Sequence, residues 1–162
     1  MNRVALFADV QNLYYTTREA YNRQFDYNAF WAMATRDRTI IGAFAYAIDR
    51  GDEKQRQFQT ILRAIGFEVR LKPFIQRADG SAKGDWDVGL ALDVMEQSAS
   101  VDTIVLASGD GDFDLLAQRV IAKYGVEVEV YGVPRLTAAS LKAAATRFIP
   151  IEDPLLLKRR PG

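Results

Sequence analysis

Five short apolar runs recur along the chain: VALFAD (Val4–Asp9), TIIGAFAYAI (Thr39–Ile48), FEVRLKPF (Phe67–Phe74), DTIVLAS (Asp102–Ser108) and VEVEVYGV (Val126–Val133). Each has the length of one buried strand, and segments with helical spacing separate them. Strands joined through helices pair in parallel, so the alternation predicts an α/β domain with helices on both faces of a mostly parallel sheet. A chain of 162 residues suffices for one such domain. Asp26 is placed as a helix N-cap, and Gly66 and Gly125 as helix stops. The polar stretch QRADGSAKG reads as a loop, and FIPI as a short edge strand. The expected division is a domain over 1–150 and a weakly ordered C-terminal tail over 151–162.

Two absences limit the chemistry. With no cysteine there is no disulfide, thiolate nucleophile or Cys-ligated metal. With no histidine there is no Ser-His-Asp arrangement, no His-bound zinc and no imidazole base. Hydrolysis must then rest on carboxylates, lysine, tyrosine or a metal ion. The first apolar run is too short for a signal peptide or a membrane span, so a cytoplasmic location is expected.

The fourth apolar run leads straight into SGDGDF and places Asp110, Asp112 and Asp114 at alternate positions. Like charges this close are costly unless a cation, a shared proton or bulk water intervenes. Asp112 alone reads equally as a helix cap. Asp110 does not, because Asp9 ends the first run in the same way. In parallel sheets the functional crevice lies beyond the carboxyl ends of the strands, where strand order reverses. In a 3-2-1-4-5 order, Asp9 and Asp110 face each other there. The segment KGDWDVGLALD adds Asp85 or Asp87 at the start of a helix, with Asp87 preferred. Asp93 lies about 9 Å further along that helix, which leaves it a supporting or surface position. Asn12 either stabilises the turn after Asp9 or orients a ligand there. An all-oxygen cluster of this kind suits Mg²⁺ or Mn²⁺, which acidifies water and stabilises the leaving oxygen of a phosphodiester.

Charge is uneven although it sums to zero. Arg50 to Lys83 holds eight basic and four acidic residues, whereas Asp85 to Asp114 holds eight acidic and no basic ones. An acidic pocket with a basic rim would show this pattern, and so would ordinary solvated helix faces.

The motifs FADVQNL, KGDWDVGLALD and VLASGDGDFDLL, in this order, resemble the NYN domain family, a group of PIN-like nuclease folds that includes LabA-like bacterial proteins. The resemblance spans about Arg3 to Val133. It implies a PIN-like three-layer sheet in the order 3-2-1-4-5 and a metal-dependent ribonuclease site leaving 5′-phosphates. Carried over motif by motif, it implies Asp9, Asp87, Asp110 and Asp112 as metal ligands and catalytic acids, with Asn12 as companion of the first. Asp85 competes with Asp87, and Asp114 falls just beyond the pair. Lys83, Arg50, Arg70 and Lys72 are the expected phosphate contacts, with Ser108 beside them. Trp86 is the preferred stacking surface for a base, ahead of Tyr14 and Tyr15, whereas Tyr46 within a buried strand fits the core better. RNA is the implied partner, with a homodimer as a means of doubling the basic rim.

Other acid-based folds fit less well. A haloacid-dehalogenase-like phosphatase needs a second aspartate where Gln11 stands, and a receiver domain needs an aspartate after the third strand. The alternative of a different class is a regulatory module that binds RNA or protein with little catalysis. Four intact acids speak against a decayed site.

Overall fold

The computed structural model describes residues 2–73, 75–76, 82–83 and 86–158. Eight strands alternate with six helices: β1 (Asn2–Asp9), α1 (Val10–Tyr21), α2 (Tyr27–Ala34), β2 (Arg38–Asp49), α3 (Glu53–Ile65), β3 (Glu68–Pro73), β4 (Ile75–Gln76), β5 (Ala82–Lys83), α4 (Asp87–Gln97), β6 (Thr103–Ala107), α5 (Asp114–Tyr124), β7 (Glu127–Gly132), α6 (Ala139–Ala144) and β8 (Arg147–Pro150). Six strands form one sheet in the order β3-β2-β1-β6-β7-β8, and every pairing in it is parallel. The five apolar runs are its first five members, in the expected order, and FIPI supplies the sixth at the edge beside β7. Where a loop was expected between β3 and α4, β4 and β5 pair as a small antiparallel hairpin.

Alternation along the strands divides the core in two. Val4, Leu6 and Ala8 of β1 pack with Leu13 of α1, Phe30 of α2 and Leu62 of α3. Ala5 and Phe7 face the opposite side, with Leu90 and Val94 of α4, Ala117 and Val120 of α5 and Leu141 of α6. A parallel sheet covered on both faces must be apolar on both, and for this reason its strands read as continuous apolar runs rather than alternating ones. Asp9 continues the Ala5–Phe7 row and so lies on the α4 side.

The local stop signals act as the residue chemistry requires. Asp26 accepts the Ala29 N–H at 3.0 Å as the N-cap of α2, and Gly125 ends α5 in the left-handed region at φ 68°. The tail behaves differently from expectation. Leu155 and Leu156 are buried against Phe25 and Tyr27, the Asp26 N–H donates to Leu155 O at 2.8 Å, and the Leu157 N–H donates to Gln24 O at 2.8 Å. Residues beyond 150 thus pack on the α2 side of the core, where burying leucine side chains is favourable. No helix among the described residues is long and apolar enough to cross a membrane.

One buried ion pair ties the start of β2 to β7. Arg38 donates to both oxygens of Glu129, at 2.8 and 2.7 Å, and also to Ala34 O at 3.1 Å. The Glu129 side chain is only 7 % exposed. Its hydrogen bonds hold the Arg38 guanidinium above its ordinary pKa. Removing Arg38 alone leaves that carboxylate buried and unpaired. Urea unfolding of Arg38→Ala should show a loss of about 3 kcal/mol, most of it recovered in the double variant Arg38→Met/Glu129→Leu. A single variant within experimental error of wild type would show the pair to be irrelevant.

Candidate metal centre

Three helical segments begin at one point beyond the carboxyl edge of the sheet, and each brings an aspartate. Asp9 ends β1 and is the N-cap of α1, where its Oδ1 accepts the Asn12 N–H at 3.3 Å. Asp87 is the first residue of α4. Contrary to expectation, the cap here is Asp110 rather than Asp112: it precedes the 3-10 turn Gly111–Phe113 that leads into α5, and its Oδ1 accepts the Asp112 N–H at 2.9 Å. Strand order reverses between β1 and β6, so the first and third acids flank the switch point. One oxygen from each of Asp9, Asp87 and Asp110 lies within 4.8 Å of the others, and all three residues are half-buried.

Magnitudes decide what such a cluster needs. Two unit charges at this separation repel by roughly 3–4 kcal/mol at an effective dielectric near 20. The positive end of a helix returns only about 0.3–1 kcal/mol to a carboxylate, and up to about 2 in favourable geometry. Three mutual repulsions thus exceed what the helix ends offset. The donors are all oxygen, with no imidazole or thiolate in the chain. Oxygens bound directly to one Mg²⁺ at about 2.1 Å stand roughly 3–4 Å apart, and the three oxygens here lie within 4.8 Å of one another. The residues present fit a hard divalent cation.

Side chains behind the acids hold them in place. Ser108 is fully buried, its Oγ donates to Asp9 Oδ2 at 3.1 Å, and the same oxygen accepts the Asp110 N–H at 3.2 Å. Asn12 Oδ1 accepts the Gly109 N–H at 2.9 Å. The first turn of α1 is thereby stitched to the loop after β6. Neither Gly109 nor Gly111 has a positive φ, so close packing rather than backbone conformation calls for glycine at both. A Cβ on Gly109 would stand 2.9 Å from Thr137 Oγ1 and 3.1 Å from Leu136 O, and one on Gly111 would stand 2.8 Å from Ala138 Cβ. The segment after β7 presses against this loop, and the Ala138 N–H donates to Gly109 O at 3.1 Å.

Several expected residues are placed differently. Asp112 is exposed and outside the group of three, because its residue lies in the 3-10 turn rather than before it. Ser108 is buried beneath the acids, where it hydrogen-bonds Asp9 and the Asp110 backbone. Trp86 is half-buried, with Nε1–H donating to Ala47 O at 2.8 Å, its ring edge-on to Tyr46, and its face against Gly89. That packing, rather than an open stacking face, accounts for its position. Tyr46 is in the core, donating to Asp93 Oδ2 at 2.8 Å, and burial followed by that hydrogen bond pushes its phenol above the ordinary pKa. Asp93 thus anchors α4 to β2. Arg70 is paired with Asp93 at 3.2 Å and Glu68 at 3.0 Å and lies over Phe44, which commits it to that network. Lys72 Nζ lies 5.7 Å from the Trp86 ring centre, and Arg50 is exposed just after β2. Tyr14 and Tyr15 are exposed on α1 at 46 % and 50 %. Asp85 and the Lys83 side chain lie outside the described residues.

Two neighbours of the acids carry no signal in the sequence. Thr137 reaches the loop from 28 positions away and is buried, with Oγ1 donating to Val133 O at 2.8 Å. Tyr27 is a buried phenol whose pKa is raised by burial, with the Asp9 charge adding to the shift. Only a hydroxyl within an otherwise apolar helix face could have pointed to Tyr27.

Comparison with known proteins agrees with this architecture. The "Low amplitude and bright protein LabA" of Synechococcus elongatus is 27% identical over 162 residues, covering 94% of this chain and 85% of that protein. The crystal structure of a protein of unknown function from Vibrio parahaemolyticus is similar over 96% of both chains, with a TM-score of 0.92 and 56% identity. The family model described as NYN domain matches residues 3–152, which contain all three clustered aspartates. The chain belongs to the NYN domain family.

Proposed function

We propose that this protein is a metal-dependent ribonuclease that hydrolyses RNA phosphodiester bonds at the Asp9–Asp87–Asp110 cluster. The observation that carries this reading is the approach of three carboxylate oxygens to within 4.8 Å at the switch point of the sheet. Membership of a PIN-like nuclease family supports it. In this reading Asp9, Asp87 and Asp110 hold Mg²⁺ or Mn²⁺. When bound, such a cation supplies positive charge to the phosphate under attack and acidifies nearby water.

The chain's own residues do the positioning. Asp9 accepts hydrogen bonds on both oxygens, from Asn12 N–H and Ser108 Oγ, an arrangement that suits the ionised carboxylate. Asn12 holds the loop after β6 at a set distance from α1 through Gly109. Lys72 on β3 and Arg50 just after β2 serve as phosphate contacts, and the sequence motif before α4 adds Lys83. Water oxygen bonds to phosphorus, the P–O3′ bond breaks, and the departing oxygen takes a proton. The products carry a 5′-phosphate and a 3′-hydroxyl.

Purified protein should cut a pool of single-stranded and structured RNA with Mn²⁺ or Mg²⁺ and not with EDTA, and Asp110→Asn should abolish cutting. Ser108→Ala should lower kcat roughly 10- to 100-fold while the protein stays folded, as loss of a ligand's supporting hydrogen bond does elsewhere. Equal traces of activity in wild type and Asp110→Asn would mean a contaminant. RNA binding without cleavage would instead favour a regulatory module of the same fold.

Thermal melts give an independent check. Mn²⁺ at about 100 times its Kd should stabilise the wild type by roughly 2.7 kcal/mol. Asp110→Asn should lose that gain and, in EDTA, melt higher than wild type because one repelling charge is gone. Identical wild-type melts with Mn²⁺ and with EDTA would remove the metal from the proposal.

A further inference from the structure

The most exposed large apolar side chains among the described residues are Val88 and Leu92 of α4, at 73 % and 64 %, and Leu115 on the adjacent helix α5 is 54 % exposed. On α4, Val88, Leu92 and Glu96 follow one another at intervals of four and form one outward row. On α5, Leu115, Arg119 and Lys123 form the equivalent row. Each row begins at the second residue of its helix, and both helices start at the carboxyl edge of the sheet. Their residues therefore match level by level: Val88 with Leu115, Leu92 with Arg119, Glu96 with Lys123. The α4 row is apolar then acidic, and α4 contains no lysine or arginine. The α5 row is apolar then basic. Among the described residues none of Glu96, Arg119 and Lys123 has an ion pair within the chain.

We propose that this face binds a second copy of the chain about a two-fold axis parallel to α4 and α5. Each α4 then lies along α5 of the other copy, and the same contact forms twice, as an isologous interface requires. Val88 meets Leu115 of the partner subunit, and Glu96 meets Lys123 of the partner subunit. An axis perpendicular to the helices would lay α4 on α4 and α5 on α5 antiparallel, setting Glu96 against Val88 and Lys123 against Leu115, which leaves the charges without opposite partners. A polyanion is a poor occupant, since it would meet Glu96 and two leucines. The parallel axis also leaves both acid clusters at the same end of the dimer. This inference does not depend on catalysis.

Sedimentation velocity across a concentration series tests it, with circular dichroism as the check on folding. Wild type should show a concentration-dependent dimer, and Leu92→Arg should be monomeric throughout. Glu96→Lys and Lys123→Glu should each raise the dimer Kd roughly tenfold or more, because each places like charges together twice. The double variant Glu96→Lys/Lys123→Glu should restore the wild-type Kd, as residues that touch do in a double-mutant cycle. A monomeric wild type, a dimer untouched by Leu92→Arg, or a double variant no tighter than the singles would overturn the proposal. So would a monomeric protein whose RNA binding falls in Leu92→Arg, which would give the row to RNA.

Discussion

The hydroxyl of Ser108 donates to Asp9 and accepts from the Asp110 backbone, and the rest of the candidate site is arranged around that bridge. It joins the ends of two strands that are neighbours in space but 99 positions apart in the chain. A buried hydroxyl with both roles satisfied has one orientation, so the two acids cannot drift apart without breaking one of its hydrogen bonds. Asn12 repeats the same connection one residue further on, through the Gly109 N–H. The parallel pairing of β1 with β6 supplies the rigid base beneath both.

The third acid is set by packing. Asp87 stands at the start of α4, which two hydrogen bonds tie to β2, Tyr46 with Asp93 and the Trp86 indole with Ala47 O, while the Trp86 ring folds back over Gly89 of the same helix. A Cβ at Gly89 would come within 2.6 Å of that ring, so glycine is required for the helix to sit this close. Trp86, Tyr46 and Asp93, near Asp87, fix α4 on the sheet. Their polar character is explained by hydrogen bonds into the sheet, since a buried indole N–H or phenol must find a partner.

How much could be read beforehand follows from the range of each effect. The apolar runs, the Asp26 cap and the stops at Gly66 and Gly125 are local, and all of them stand where the residue chemistry puts them. Asp9, Asp87 and Asp110 were legible because each lies at a strand end or a helix start, and such positions collect at one edge of a parallel sheet. Asp112 falls inside the 3-10 turn that follows Asp110, with its side chain exposed, a placement that a local pattern of alternating acids does not reveal. The burial of Ser108 and of Leu155 and Leu156 could not be read beforehand, since burial by distant elements is invisible to a local pattern.

The amino-acid sequence by itself determined the α/β class, the number and kind of main elements, the exclusion of cysteine and histidine chemistry and the acids available for a metal. These follow from periodicity and side-chain chemistry, which act within a few residues. Only the tertiary structure decided which three acids share a centre, that Ser108 and Asn12 brace them, that Gly109 and Gly111 answer to the segment after β7, and that the chain end closes the core. Those outcomes rest on contacts between residues far apart in the chain, and their distances are set by how the helices pack on the sheet.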